Sequence, residues 1–340
     1  MRKTHLESIA YILSDFRQGE LAAPTPDHVD RWISQFDTAV QLPMLQEMAY
    51  VLQRTYFSKS CVSNFFRNLI RAENFAGNAY CDFWKTAHIL DIQQNGHSQS
   101  EIRNIFAQLL LEECNLDIST CGVDGGPYIY LDDVLFTGGR VGQDLESCIP
   151  NAPDGAIVYI VVICTHQFGE WKCKGKLQDI ARANNKRISF EVWASIRIEN
   201  RRSYKNNSEV LWPAVLPQDD LVSEYITRGS RFPFEWRQPN TQFESRIFSC
   251  EEGRQLLETQ FLLAGLKIIS FCQSPNTSMK PLGFGPFGLG FGSTIVTYRN
   301  CPNNSPLALW WGDPHMPSTH PFGRWYPLVQ RKTYGIEVPF

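Results

Sequence analysis

The segment that most constrains this chain is Tyr128–Val141, which reads YIYLDDVLFTGGRV. Its first four residues are aromatic or aliphatic and follow a Gly-Gly-Pro turn, which is typical of a buried strand. Asp132 and Asp133 come where this strand is predicted to end, and open α/β sheets bind their ligands at that edge. The sequence therefore predicts a ligand site that carries two carboxylates.

The residues after the acid pair predict an anion site. Gly138 and Gly139 allow a sharp turn and a close approach to a ligand, and the pattern predicts a helix over residues 139–149. The unpaired N–H groups and the macrodipole at a helix start favour a phosphate. Carboxylates repel a phosphate, but they accept hydrogen bonds from sugar hydroxyls or hold a divalent cation. A sugar phosphate suits both parts of the segment, because its hydroxyls can bind the acid pair and its phosphate can bind the helix start. The alternative is an ordinary buried Asp-Asp turn.

This segment resembles the phosphoribosyl pyrophosphate (PRPP) motif of type I phosphoribosyltransferases, in which a hydrophobic strand precedes two acids and, a few residues later, Thr-Gly. The resemblance implies that Asp132 and Asp133 are the catalytic pair, which holds the ribose 2′- and 3′-hydroxyls and a Mg²⁺ ion. It assigns the 5′-phosphate to the loop and the helix start, namely Thr137, Gly138, Gly139, Arg140 and Val141.

Two residues depart from the resembled motif. Arg140 stands where the family usually has Thr or Ser, and its guanidinium can bind a phosphate with a different geometry. Phe136 stands where purine-salvage members often carry Asp, so its apolar ring disfavours purine salvage.

A second loop follows an earlier predicted strand, Phe83–Ile92. In the resembled family the loop after this strand binds the diphosphate of PRPP. The resemblance therefore implies a diphosphate loop within residues 93–98 with a cation nearby, and the assigned ligand-binding residues are Lys85, Gln94, Gly96 and Ser98. His97 is either a general acid for the departing diphosphate or an exposed loop histidine.

Composition excludes several classes of protein. With 340 residues, of which 43% are hydrophobic, the chain is long and apolar enough to bury a sizeable core. Its 32 basic and 35 acidic residues nearly cancel, so no strong intrinsic nucleic-acid binding is expected. The ten cysteines form no Cys-x-x-Cys pair, which favours reduced thiols. The N-terminus is not a signal peptide and the longest apolar run is too short for a bilayer, so we expect a cytoplasmic protein without membrane contact.

The order of elements predicts the fold and the domains. Apolar residues at helical spacing predict four helices over residues 4–71, and strands then alternate with helices. We predict an α/β fold with a doubly wound parallel sheet of the type I phosphoribosyltransferase kind. The predicted domains are an N-terminal helical subdomain (1–75), the phosphoribosyltransferase-like core (76–215) and a C-terminal α/β extension (216–340).

The C-terminal extension contains one misleading motif. A helix capped by Ser249 and Glu252 is predicted to end at Gly265 and to precede a strand, Lys267–Cys272. Residues 283–292 contain a literal G-x-G-x-x-G, but a strand and not a helix is predicted to follow, so the dinucleotide fingerprint fails. This Gly-rich segment is either a mobile lid or a loop packed through its phenylalanines.

A wider resemblance rests on three features: the Trp32-bearing helices, the segment 209–213 (EVLWP), and the stretch 297–311, which ends in Trp310-Trp311. Together they resemble a family of phosphoribosyltransferase-like proteins of bacterial antiphage conflict systems, some encoded beside reverse transcriptases, as in retrons. The resemblance implies an enzyme of nucleotide metabolism that acts on PRPP or a ribose 5-phosphate nucleotide as an antiviral effector. It also implies partner proteins such as a reverse transcriptase complex. The alternative is a non-catalytic sensor of PRPP or a nucleotide that regulates a partner.

Overall fold

The computed structural model of the protein describes residues 1–93, 98–122, 125–239 and 244–332. In these ranges the α-helices are α1 (Arg2–Ile12), α2 (Pro26–Ile33), α3 (Thr38–Thr55), α4 (Lys59–Ile70), α5 (Glu73–Ala76), α6 (Tyr80–Thr86), α7 (Ser98–Cys114), α8 (Gly139–Glu146), α9 (Gln167–Ala183), α10 (Asp220–Arg228), α11 (Glu251–Ser270) and α12 (Leu307–Trp310). The strands are β1 (Tyr56–Phe57), β2 (His88–Ile89), β3 (Tyr128–Leu131), β4 (Val134–Leu135), β5 (Ile157–His166), β6 (Ser189–Ile198) and β7 (Val296–Thr297). No helix within the described ranges has the length and apolarity needed to cross a membrane.

The chain forms two compact units. One, here called the motif unit, is Ser60–Glu199. The other, here called the discontinuous unit, combines Met1–Lys59 with Asn200–Phe340. The three-domain division with boundaries after residues 75 and 215 stays a prediction.

A parallel sheet forms the centre of the motif unit. β3 lies between β2 and β5, and β5 also pairs with β4 and β6. Each of these pairings is parallel. The predicted α/β class with a parallel sheet is therefore confirmed, as is the interior position of Tyr128–Leu131 in the sheet.

Helices cover both faces of this sheet. Ile160 and Val162 of β5 belong to a buried cluster that includes Leu145 of α8 and Leu177 of α9. The alternate residue of β5, Tyr159, points to the other face, where its ring centroid lies 4.9 Å from that of Phe75 in α5. This two-sided packing explains why β5 reads as a nearly continuous apolar run.

The predicted strand Phe83–Ile92 is wrong over its first part. Residues 80–86 form α6, and the paired part of the predicted strand is His88–Ile89, which lies beside β3. The neighbours Phe83 and Trp84 both contact the Phe75 ring, with centroid distances of 5.5 and 5.6 Å. Adjacent residues of a strand point to opposite faces, so this shared contact requires the helical turn.

A disulfide joins Cys81 of α6 to Cys114 at the end of α7. The expectation of reduced thiols is therefore wrong for this pair. The two cysteines are 33 residues apart, and the segment between them contains β2 and α7.

In the discontinuous unit the N-terminal helices pack against the C-terminal part of the chain. Trp32 is fully buried and donates its Nε1–H to the Ala308 carbonyl oxygen at 2.9 Å, and the Phe36 and Trp325 rings lie 5.5 Å apart. Within the Gly-rich segment, the Phe287 and Phe291 side chains are buried. This burial favours the packed loop over the lid for residues 283–292.

α11 continues to Ser270, so the predicted helix end at Gly265 and the strand Lys267–Cys272 are wrong. Position 265 is a glycine although it lies inside the helix, because Pro281 packs against it. A Cβ at this position would lie 2.6 Å from the Pro281 Cα. The predicted capping box is not used either, since Cys250 caps the helix and the Ser249 hydroxyl donates to Glu47 instead.

Candidate functional site

The acid pair lies between β3 and β4, which follow one another along β5 in the same register. The Asp132 N–H donates to the Val161 carbonyl oxygen at 3.1 Å, and the Asp133 carbonyl accepts from the Ile163 N–H at 3.0 Å. Both acids are thus fastened to the buried strand β5 by their backbone rather than carried on a free loop.

Each carboxylate also accepts the N–H of the following residue. Asp132 Oδ1 accepts from the Asp133 N–H at 2.9 Å, and Asp133 Oδ1 accepts from the Val134 N–H at 2.8 Å. Asp132 is buried, with 4% of its surface exposed, whereas Asp133 is half-buried. A carboxylate only accepts hydrogen bonds, and these two bonds orient the two groups.

The loop after β4 turns sharply into α8. Gly138 has φ = 72° and is the N-cap residue of α8, whose first turn contains Gly139, Arg140 and Val141. Gly139 and Arg140 are exposed, Thr137 is half-buried and Val141 is buried. A basic side chain in the first turn opposes the helix dipole, so Arg140 is better placed to bind an anion than to stabilise the helix.

Two glycines allow this loop to pack directly on α9. A Cβ on Gly138 would lie 2.5 Å from the Gly169 carbonyl oxygen and 2.7 Å from the Cys173 Cβ. A Cβ on Gly169 would overlap the Phe136 carbonyl oxygen. The position of the predicted phosphate loop is therefore set by backbone-to-backbone contact with the first turn of α9.

A buried hydrogen bond ties α8 to the motif strand. The Tyr130 hydroxyl donates to Asp144 Oδ2 at 2.8 Å, and both residues are buried. Burial, followed by the negative charges of Asp132 and Asp144, raises the pKa of Tyr130 far above its ordinary value. The hydroxyl therefore stays protonated at ordinary pH values and keeps the hydrogen that it donates to Asp144.

His166, at the end of β5, holds the loop from the other side. Its Nδ1–H donates to the Leu135 carbonyl oxygen at 3.1 Å, and its ring stacks on Phe136 with centroids 5.0 Å apart. The imidazole is fully buried, and this burial lowers the pKa of His166 to about 4 even though the bond to Leu135 raises it. Phe136 therefore has a packing role in the loop.

The neutral state of His166 predicts a pH-dependent stability. The unfolded chain takes up a proton near pH 6.5, whereas the folded protein resists protonation until about pH 4. The contribution of neutral His166 to the free energy of unfolding is fully present above pH 6.5. It is lost as the pH falls towards 4, by about 1.4 kcal/mol per pH unit. His166→Asn keeps an N–H donor and does not titrate, so urea unfolding should show a shallower acid dependence for this variant. Parallel curves for the two proteins between pH 6 and 4.5 would contradict the assignment.

The structure describes only some of the residues that were predicted to bind the diphosphate, which are Lys85, Gln94, Gly96 and Ser98. Gln94, Gly96 and His97 lie outside the described residues. Lys85 is exposed on α6, before the amino end of β2, and its carbonyl accepts from the Gly122 N–H at 3.1 Å. The acid pair follows the carboxyl end of β3, so the structure does not bring Lys85 to that edge of the sheet.

Ser98, in contrast, begins α7 directly after the loop that leaves β2. Its hydroxyl accepts from Gln93 Nε2 at 2.9 Å. Its neighbour Gln99, which no sequence motif indicates, is fully buried and holds the exit of β2: Gln99 Oε1 accepts from the Ile92 and Gln93 N–H groups, both at 2.8 Å. A glutamine in a first helical turn carries no sequence signal for such a role.

A protein-family model described as PRTase-CE matches residues 29–331, a range that includes the segment from β3 to α8. The chain belongs to the PRTase-CE family. No curated protein and no solved structure matches it significantly. This PRTase-CE chain is thus a phosphoribosyltransferase-like protein.

The acid pair of this PRTase-CE chain can hold Mg²⁺ only together with oxygens from a bound ligand. Among the described residues, no three His, Cys, Asp or Glu side chains come together as a metal site. Mg²⁺ is commonly held by one or two carboxylates together with phosphate oxygens and waters. Asp132 and Asp133 fit that pattern when a phosphorylated ligand supplies the remaining oxygens.

A separate groove of 790 Å³ lies between α9 and β6. Glu170 and Arg197 line it and pair with one another, and Lys174 lies beside them. Neither Asp132 nor Asp133 lines this groove. The groove is therefore separate from the candidate site, which consists of the acid pair, the loop after β4 and the start of α8.

Proposed function

We propose that this protein binds PRPP or another ribose 5-phosphate compound and acts at the anomeric carbon of the ribose. The observation that carries the proposal is the acid pair fastened along β5, followed directly by the Gly138 turn and the start of α8. Two oriented carboxylates suit the ribose hydroxyls, and the helix start with Arg140 suits the 5′-phosphate.

In the proposed reaction the bond between the anomeric carbon and its leaving group breaks. The electron pair departs with the leaving group, which is diphosphate for PRPP. A nitrogen of the base or the oxygen of a water forms the new bond and releases a proton, which the departing diphosphate can accept. The protein's own contribution is to position the sugar and to stabilise charge, so no activated nucleophile is required of the chain. A Mg²⁺ ion bound at Asp132 and Asp133 together with the ligand would supply positive charge to the departing diphosphate.

Incubation with PRPP, Mg²⁺ and a panel of bases tests catalysis. Release of diphosphate, with or without a base, identifies an enzyme that transfers to the base or to water. Tight binding of PRPP without turnover identifies the alternative, a sensor that regulates a partner. Absence of binding to any ribose 5-phosphate compound rejects both proposals.

The acid pair should contribute to affinity and little to stability. Asp132→Asn or Asp133→Asn keeps the shape but weakens charge-assisted hydrogen bonds to the ribose hydroxyls, each worth roughly 1.5–3 kcal/mol, so affinity should fall about tenfold to a hundredfold. Calorimetric titration with PRPP measures the change. Asp154→Asn is the matched control, because Asp154 is exposed and pairs with Arg187 in the same unit. Equal affinities for all four proteins would show that the acid pair is an ordinary turn.

We further propose a cytoplasmic effector of a bacterial antiphage system, held in check by partners such as a reverse transcriptase complex. The support is the resemblance carried by the Trp32-bearing helices and the segment that ends in Trp310-Trp311. Expression without partners should slow growth and deplete a nucleotide pool, whereas the Asp133→Asn variant should do neither. If cells tolerate both proteins equally and their nucleotide pools are unchanged, the effector proposal is wrong.

A further inference from the structure

Lys280 is a buried cation without a counter-ion among the residues that the structure describes. It lies just before the Gly-rich segment in the discontinuous unit, and 7% of its surface is exposed. Its Nζ donates to the Ser230 hydroxyl oxygen at 3.2 Å, and none of the described carboxylates forms an ion pair with it. Burial lowers the pKa of Lys280. Lysines are rarely buried without a negatively charged partner, so the surroundings of Lys280 suit a bound anion.

The hydroxyl that Lys280 contacts has no acceptor capacity left. Ser230 Oγ also accepts from the Phe232 N–H at 3.2 Å, so both of its lone pairs are used. The hydroxyl hydrogen of Ser230 must therefore point elsewhere, and it meets no acceptor in the described ranges. An ammonium group carries three hydrogens, of which the bond to Ser230 uses one. Lys280 and Ser230 together thus offer three donor hydrogens to a ligand.

The backbone fixes the positions of both side chains. Gly229, the C-cap residue of α10, has φ = 79° and turns the chain into Ser230. Lys280 begins the turn into the Gly-rich segment, because its carbonyl oxygen accepts from the Gly283 N–H at 3.0 Å. Ser230 is half-buried, so a ligand can reach the two side chains from the surface beside it.

The segment that follows Ser230 packs closely on the Gly-rich segment. The Tyr225 hydroxyl of α10 donates to the Gly288 carbonyl oxygen at 3.0 Å. A Cβ on Gly288 would lie 2.7 Å from the Pro233 carbonyl oxygen, so the two backbones meet without an intervening side chain. The donors are therefore held in place before a ligand arrives, which reduces the entropy that is lost on binding.

Exposed residues beside Ser230 add positive charge. Arg228 lies two residues before Ser230 and Arg231 one residue after it, and both side chains are exposed. Neither arginine forms an ion pair with a carboxylate in the described part of the chain. Three cations without carboxylate partners favour a multiply charged anion. A phosphate group carries nearly two negative charges and has three acceptor oxygens, which match the three donor hydrogens.

We propose that Lys280 and Ser230 bind the terminal phosphate group of a small molecule. Lys280 supplies a positive charge and two hydrogens, and Ser230 supplies one hydrogen. Both residues belong to the discontinuous unit, whereas Asp132 and Asp133 belong to the motif unit. The inference therefore goes beyond the proposed function and does not depend on it.

Equilibrium dialysis of the full-length protein against radiolabelled inorganic phosphate, at constant ionic strength, tests this inference. Lys280→Met removes the charge and keeps an unbranched stem, so the affinity of this site should fall about tenfold to a hundredfold. Lys267→Met is the matched control, because Lys267 is an exposed lysine of α11 in the same unit, and it should bind phosphate like the parent. Phosphate bound at the loop after β4 contributes equally to all three proteins.

Ser230→Ala covers the case in which Lys280→Met does not fold. It removes one donor hydrogen and no charge, so affinity should fall about twofold to tenfold. Acetate at equal concentration should displace little of the labelled phosphate, because it carries a single charge. Undiminished phosphate binding by the folded Lys280→Met protein, or by Ser230→Ala in its place, would overturn the inference. Displacement of the label by equimolar acetate would overturn the assignment to a phosphate group.

Unfolding in urea separates a ligand site from a structural contact. In chloride buffer without phosphate, Lys280→Met should be at least as stable as the parent, because a buried ammonium without an anion is costly. Adding phosphate should raise the urea midpoint of the parent more than that of the variant. A lower midpoint for Lys280→Met in chloride, together with an equal response to phosphate, would assign Lys280 a structural role and overturn the inference.

Discussion

Replacing Gly169 by alanine is expected to destabilise the protein by about 3 kcal/mol, because overpacking against backbone atoms cannot be relieved by a side-chain rotation. The added Cβ would overlap the Phe136 carbonyl oxygen and would lie 3.0 Å from a Leu135 methyl carbon. The loop that begins α8 must then move away from α9. Since this loop carries the predicted phosphate contacts, affinity for ribose 5-phosphate should fall together with stability.

Gly175→Ala is the matched control on the same helix. A Cβ at Gly175 meets no heavy atom within 4 Å, so the substitution should be neutral or stabilise the helix by up to about 1 kcal/mol. Urea unfolding measures both variants, and titration with ribose 5-phosphate reports the loop. If Gly169→Ala is as stable as Gly175→Ala and binds normally, the contact between the loop and α9 does not position the site.

Replacing Arg237 by methionine is expected to destabilise the protein by about 3–5 kcal/mol, because removing one partner leaves buried charges uncompensated. The Arg237 side chain is fully buried in the discontinuous unit and pairs with Glu258 at 2.9 Å and with Glu251 at 2.7 Å. Glu258 is buried as well and also accepts from Arg254 at 2.8 Å. Without Arg237, two carboxylates would share one neighbouring cation.

Arg202→Met is the corresponding control, because Arg202 is half-exposed and pairs with Glu235 at the surface of the same unit. Exposed pairs contribute only about 0–1 kcal/mol, so this variant should unfold close to the parent in urea. Each variant loses one arginine, and the two arginines differ in how deeply they are buried. Similar losses in the two variants would show that the buried network does not stabilise the fold.

Local sequence patterns predicted those parts of the motif unit in which backbone conformation follows from neighbouring residues. Tyr128–Leu131 forms the predicted strand because an apolar, β-prone run has one stable environment, the interior of a sheet. α8 starts at the predicted Gly139 because Gly138 alone there can adopt φ = 72° without strain. The acid pair could also be recognised from local sequence, because Asp132 and Asp133 directly follow the residues of the strand.

Contacts between distant residues decided what those patterns could not. Residues 80–86 form a helix because Phe83 and Trp84 both reach Phe75, although an apolar run of this kind also suits a strand. Gly265 looked like a helix end, but Pro281, which is 16 positions away, needs the space that a missing Cβ leaves.

The sequence by itself thus determined the class of fold, the motif strand, the acid pair and the turn that starts α8, because each depends on residues within a few positions of one another. Only the tertiary structure decided that Gly169 and His166 hold the predicted phosphate loop and that Gln99 lies buried at the exit of β2. It also decided that Cys81 and Cys114 meet. These roles depend on which surfaces are brought together in three dimensions, and packing between elements leaves no periodic signal in the chain.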